Sequence, residues 1–394
     1  MQLSNTYEFF CPVKICSGNK ALEHLPFELE LLGAKKPLVV ANKEVTDRRQ
    51  IKHVRQAFKD SKITPGICDA VPAQADLNVI QQVAGIYREK HCDAIIAVGG
   101  GAVCDLAKVV NLVVSEETDD VRHFTEAGSI KDPLKPFAAV LTSAGNGFET
   151  TKLATFAGLV FSSPFLLPNV VVIDPRMTVI EDIHTTIATA LTALTFAVEA
   201  YTCRAKNPVT AMYAYPAIQF IRANLLKVIN NPADRNGCVA LVNAVAMAGC
   251  AFSTAPLRMI HKLGEVVSAA CHLPLGRCLG MLLPYVLEYH THKHGYNPAE
   301  LLLPLTNFDV YASTPEDQKA QQAIEVIRRF LTEISVAAEA EAPLTLQAAK
   351  IPKDKLNDLA QAASGESAAE FDADDGLIIL EHAWEGKPMK SLPQ

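Results

Sequence analysis

The chain has 394 residues, 49% hydrophobic and 20% charged, with a formal net charge of -7 and a slightly positive mean hydropathy. That length is more than one hydrophobic core usually serves, so two domains are expected, and the apolar content excludes wholesale disorder. A mildly acidic balance without a basic run excludes nucleic acid as a partner and suits a cytoplasmic protein that acts on small molecules.

In chain order, MQLSNTYEFFCPVK lacks a basic stretch followed by an apolar one, so no secretion signal is expected. PLVVAN (Pro37 to Asn42) reads as a strand, Asp47 to Ser61 as a helix, ITPGICDAV as a turn and strand, and Leu77 to Lys90 as a helix. CDAIIAVGGG (Cys92 to Gly101) is a strand ending in glycines, followed by a helix over Ala102 to Val114. FAAVLTSAGNG (Phe137 to Gly147) repeats the strand-then-glycine arrangement, and NVVVIDP (Asn169 to Pro175) is a last strand. Alternating strands and helices predict a mostly parallel sheet with ligands at the carboxyl ends of its strands.

After Pro175 the period changes to that of helices: Ile183 to Ala205, Pro208 to Asn230, Asn236 to Phe252, Leu257 to Ala270, Cys278 to His290 and Ala320 to Ala338. The expected architecture is an α/β dinucleotide-binding domain over residues 1–180, followed by an all-α domain over residues 181–394. Apolar runs such as Leu159 to Ile173 are broken by Ser, Pro and Asn well short of a membrane span, so no membrane association is expected. Ten cysteines stand apart without C-x-x-C pairs and read as reduced thiols. HTHKH (His290 to His294) reads as a solvated run at a helix end, and DADDG (Asp372 to Gly376) as a helix N-cap.

Gly99, Gly100 and Gly101 follow a strand and open a helix, where backbone N–H groups and the helix dipole can hold a pyrophosphate. A second turn, LTSAGNGFE (Leu141 to Glu149), offers Thr142, Ser143 and Asn146 at the same edge of the sheet.

These residues resemble the iron-containing, or group III, alcohol dehydrogenases of the dehydroquinate synthase-like fold. GGGAVCDLAK (Gly99 to Lys108, with Asp105 inside it) is similar to the family's G-G-G-S-x-x-D-x-A-K, and TSAGNGFE (Thr142 to Glu149) to its T-T-A-G-T-G-S-E. LLPNVVVIDPRMT (Leu166 to Thr178) and the segment starting at Glu199 add further matches, so the resemblance runs over nearly the whole chain. It implies an NAD- or NADP-dependent interconversion of a small alcohol and its aldehyde or ketone in a cleft between the domains, and a possible homodimer. By the same resemblance, Gly99, Gly100, Gly101 and Asp105 belong to the cofactor site, together with Thr142, Ser143 and Asn146. Asn42 stands where many members carry an aspartate for the adenosine ribose, and losing that charge makes NADPH as acceptable as NADH.

The family binds iron or zinc with an Asp and a His four apart and two later His fourteen apart. Those positions align with Thr192, Phe196, His261 and Leu275, so only His261 is kept, and Glu265 takes the place of a further family histidine. One imidazole does not hold a catalytic metal, so iron or zinc is not expected at the usual site. A relocated site of His261, Glu265 and His272 is the alternative, because a spacing of four puts the first two on one helix face. Without a metal, the groups available to polarise a carbonyl and move a proton are His261, Glu265, Thr192, His272 and Lys262. The competing reading is a catalytically degenerate homologue that binds dinucleotide and has a structural or regulatory role.

Overall fold

The computed structural model describes residues 7–389 except 48, 73–75, 119, 127, 143, 144, 146, 179–181, 204, 205, 254–258, 295, 296, 340–342 and 365–370. Its contacts divide the chain into two compact units, one of Phe9–Glu181 with Cys238–Ser253, the other of Met1–Glu8, Asp182–Gly237 and Thr254–Gln394.

The first unit is built on a six-stranded, all-parallel sheet. Its strands are β1 (Lys14–Ser17), β2 (Pro37–Asn42), β3 (Gly66–Val71), β4 (Ala94–Gly99), β5 (Phe137–Leu141) and, after the hairpin β6 (Leu153–Phe156) and β7 (Leu159–Ser162), β8 (Val170–Ile173). They lie in the order β1-β8-β5-β4-β2-β3. Strands such as AIIAVG and VVVI are buried throughout, because helices cover both faces of a parallel sheet. Side chains alternate between two cores: Leu38, Val40, Ile95 and Ala97 pack on one face with the helices Leu77–Glu89 and Gly101–Ser115. Val39, Ala41, Ile96 and Val98 pack on the other with the helices Leu25–Leu31 and Gln50–Ala57.

β2 runs outward to β3, whereas β4 starts on the other side of β2 and leads to β5, so the strand order reverses between β2 and β4. Ala41 pairs with Val98, which sets the carboxyl ends Asn42 and Gly99 side by side. Open parallel sheets bind ligands at such a switch point.

Several elements differ from expectation. β1 and the β6–β7 hairpin are additional strands; the hairpin turns on Ala157 and Gly158, with φ of 50° and 78°. Both central residues at positive φ define the type I′ turn, and an Ala-Gly pair is a weaker signal for it than Asn-Gly. The helix Arg235–Phe252, placed by its sequence in the helical domain, contributes Cys238–Ser253 to the first unit. Gly249 is the reason for the close approach: a Cβ there would sit 2.1 Å from both the Gly147 carbonyl oxygen and Thr150 Oγ1. Thr150 Oγ1 also donates to the Ala246 carbonyl at 2.8 Å.

The second unit is helical: Ile183–Thr202, Pro208–Asn230, Met259–Cys271, Leu275–His294, Lys319–Ala337, Leu356–Ser364 and Ala373–Glu385 are its longer members. Ile183–Thr202 and Arg235–Phe252 are long and apolar enough to cross a membrane by length and composition, which the broken apolar runs had not suggested. Their apolar windows are 78% and 67% buried inside the protein, as in core helices.

Asp372 caps the Ala373–Glu385 helix by accepting the Asp375 N–H at 2.8 Å. The His290 to His294 run is not wholly solvated, since His292 Nε2 lies 3.0 Å from the Met389 carbonyl and Lys293 pairs with Asp375.

Candidate active site

In the first unit the site is made of backbone. β4 ends at Gly99, and the 15-residue helix Gly101–Ser115 begins two residues later with Gly100 as N-cap and no side chain capping it, so the N–H groups of Gly101 and Ala102 are placed to meet a ligand. A Cβ on Gly99 would lie 2.7 Å from Val103, so the turn can close this tightly only with glycine. The Thr142 N–H donates to the Gly99 carbonyl at 3.2 Å, which ties the second turn to the first. Ser143 and Asn146 lie outside the described residues.

Beneath the turns is a buried polar cluster. Lys108 is 1% exposed, and its ammonium donates to the carbonyls of Phe148, Thr151 and Leu153 at 2.7, 2.9 and 2.7 Å. All three of its donors are thereby used on one turn, so Lys108 holds the second glycine loop in shape. Burial pushes the Asp105 carboxyl up to about 7, opposed by the Lys108 charge and reinforced by Glu149, and burial likewise lowers Lys108. Asp105 sits in this cluster, 5% exposed. Gly145 is needed twice: its φ is +72°, and a Cβ would meet Glu149 Oε1 at 2.1 Å. Asn42, at the end of β2, accepts the Val45 N–H on Oδ1 at 3.1 Å and so carries an uncharged cap to the edge of the switch point.

In the second unit the site is made of side chains. His261 is 3% exposed on the helix Met259–Cys271, its Nε2 3.3 Å from Oε1 of Glu265, whose side chain is 44% exposed. Its ring centroid is 5.8 Å from that of Phe196, which is fully buried on the helix Ile183–Thr202. The neighbouring helix Leu275–His294 comes in at Gly276, where a Cβ would be 1.7 Å from the Ala188 carbonyl oxygen and 2.6 Å from Thr192 Oγ1. Leu275 Cδ1 lies 3.4 Å from the equivalent point on Gly264.

The positions where the family resemblance implies ligands are thus held on three helices, with Leu275–His294 packed against the other two. Their donors do not fit a divalent metal. Phe196 and Leu275 have no ligating atom, and Thr192 Oγ1 donates to the Ala188 carbonyl within its own helix at 3.1 Å. His272 is exposed, with φ of 54°, beyond the end of the His261 helix. Among the described residues no three His, Cys, Asp or Glu converge on a metal position, so His261, Glu265 and His272 do not form the relocated site. The role of Lys108 is what sequence reasoning missed; the signal was an ammonium among apolar residues as the eighth residue of the helix that follows the glycines.

Comparison with known proteins gives the family. The model of iron-containing alcohol dehydrogenase matches residues 12–175, and that of the C-terminal region of the Fe-containing alcohol dehydrogenase family matches residues 186–373. The chain belongs to the iron-containing alcohol dehydrogenase family. It is 31% identical over 292 residues to an NAD-dependent methanol dehydrogenase of Bacillus methanolicus, covering 72% of this chain and 75% of the relative. To a 1,3-propanediol dehydrogenase of Citrobacter freundii it is 29% identical, with the same coverage of 72% and 75%. Among solved structures, a 1,3-propanediol oxidoreductase superposes with a TM-score of 0.85 at 24% identity, over 96% of this chain and all of the other.

Proposed function

We propose that the protein is an NAD(P)-dependent oxidoreductase that interconverts a small alcohol and its aldehyde or ketone, with His261 and Glu265 handling the proton in place of a metal. The observation that carries this is the buried His261 imidazole, 3.3 Å from a carboxylate that reaches solvent, at the position the family uses for metal chemistry. Relatives named for NAD-dependent methanol and 1,3-propanediol dehydrogenation support the substrate class and the cofactor.

A bound dinucleotide supplies or accepts the hydride through its nicotinamide. The N–H groups at the start of the Gly101–Ser115 helix would hold the pyrophosphate, and the neutral Asn42 would accept from a ribose hydroxyl or donate its Nδ2–H to a 2′-phosphate. Oxidation of an alcohol also releases one proton: His261 takes it from the hydroxyl, and Glu265 passes it to water. In the reductive direction the same pair returns the proton to the carbonyl oxygen. A cytoplasmic location and a homodimer belong to this reading.

The test is turnover of NADH and NADPH by the purified protein with a panel of short aldehydes, with and without added iron and zinc. Metal-independent turnover, reduced about 10²–10⁴-fold in His261→Ala with the melting temperature little changed, is the expected outcome. Tight cofactor binding without hydride transfer under any condition would instead favour the degenerate homologue, which the loss of ligands at Thr192, Phe196 and Leu275 also supports. A His261→Ala variant that loses stability and keeps its kcat would reduce His261 to a packed core residue.

A further inference from the structure

Two nucleophilic side chains meet at the break between the His261 helix and the helix that follows it. Cys271 ends the helix Met259–Cys271 and Cys278 lies in the first turn of Leu275–His294, with their sulfurs 3.8 Å apart. The chain between them is folded back tightly. His272 takes φ of 54°, the Pro274 carbonyl accepts the N–H of Arg277 at 2.9 Å and of Cys278 at 3.4 Å, and Ser268 Oγ donates to the Leu273 carbonyl at 2.6 Å. The two thiols differ in access: Cys271 is half-buried and Cys278 is buried.

We propose that Cys271 and Cys278 are a reversible modification site, a dithiol that a hydroperoxide converts to a disulfide joining the two helices. The Cys271 thiolate attacks the hydroperoxide, forming an S–O bond as the O–O bond breaks and leaving a sulfenic acid and an alcohol. Cys278 then attacks that sulfur, the S–S bond forms, and hydroxide leaves with the Cys278 proton as water. Two thiols lose two electrons, the hydroperoxide gains two, and the products are one disulfide, one alcohol and one water.

The division of roles follows from the surroundings. The Cys278 thiol, and after it the N–H groups of Leu273 and Cys271, hold the Cys271 thiol down at about 6 against the opposing effect of burial, while Cys278 is raised by the same contact. A low, accessible thiol beside a buried partner is the arrangement of a redox-sensing pair. Disulfides that form in a reducing compartment are of this transient kind. Bond formation needs the sulfurs to approach to about 2.0 Å, and Cys271 lies at a helix end, where the backbone is freest to move.

The experiment treats the full-length protein with a small excess of hydrogen peroxide, blocks the remaining thiols and maps the peptides by mass spectrometry. Trypsin cuts after Arg277, so the disulfide joins two peptides. The expected result is that linked pair, lighter by two hydrogens, appearing about tenfold faster than oxidation of the other cysteines and reversed by dithiothreitol. Cys278→Ser should stop at a sulfenic acid on Cys271 that dimedone traps. Over-oxidation of Cys271 to the sulfinic acid in the unmodified protein without the linked pair, or blocking of both thiols as if untouched, overturns the proposal. The linked-pair readout needs no variant, so a poorly folding Cys278→Ser does not leave the question open.

Discussion

The glycine turns of the first unit and the His261 neighbourhood of the second are built from different material. The first offers backbone: N–H groups at a helix start, and loops held by Gly99, Gly145 and Lys108. The second offers side chains on packed helices, and there Phe196 and Leu275 stand where the resemblance implies ligands, with the helices packed closely at Gly264 and Gly276. A site made of backbone shape persists as long as the fold does. One made of side chains can lose its chemistry by three substitutions that the core accommodates.

The sharpest way to break that comparison is to restore the side chains. Thr192→Asp, Phe196→His and Leu275→His together should create stoichiometric zinc or iron binding at micromolar affinity or tighter, about 8 kcal/mol, and the unmodified protein should bind none at this site, as read by calorimetry and elemental analysis. If the triple variant folds and stays metal-free, the three helices no longer hold the ligand geometry.

On the backbone side, Lys108→Met strands three buried carbonyls and leaves Asp105 and Glu149 without the cation. It should cost about 3–5 kcal/mol in denaturant unfolding and weaken NAD(P)H binding in a fluorescence titration. A neutral outcome would mean that the turn holds itself.

Asp105 gives a pH test of the same cluster. Its carboxyl is raised by burial from 3.8 to about 7, so the stability it contributes is fully present below about pH 4 and is lost as pH rises through 7. Asp105→Asn should flatten that slope between pH 4 and 7 by up to about 4 kcal/mol, the equivalent of a three-unit shift. An unchanged slope would show that Asp105 stays charged beside Lys108.

The smallest effect is expected at Gly276→Ala, which forces a Cβ onto the Ala188 carbonyl and should cost about 1–3 kcal/mol in thermal unfolding while leaving dinucleotide affinity unchanged. Loss of dinucleotide affinity in that variant would contradict the separation of the two regions.

Much of the fold is legible in local pattern. The buried runs of β2, β4, β5 and β8 and the helices that alternate with them follow from period and from glycine at strand ends. β1 escaped because KICS is four residues without alternation, and the β6–β7 hairpin because its turn is Ala-Gly. The helix Arg235–Phe252 was recognised as a helix, but no local signal tells which core it will join. Gly249 decides that by letting it approach Gly147 and Thr150, a contact about a hundred residues apart in sequence.

For the site, the sequence by itself determined the family and the glycine turns, and it put Thr192, Phe196 and Leu275 where the resemblance implies metal ligands, because these are matters of residue type and spacing. Only the tertiary structure decided that Lys108 serves three carbonyls, that Thr192 is bonded within its own helix, that Glu265 reaches His261 while His272 stands apart, and that Cys271 meets Cys278. The physical reason is the same in each case. A hydrogen bond or a thiol contact depends on side-chain position to within an ångström, and that position is set by which helices pack together, which no spacing in the chain specifies.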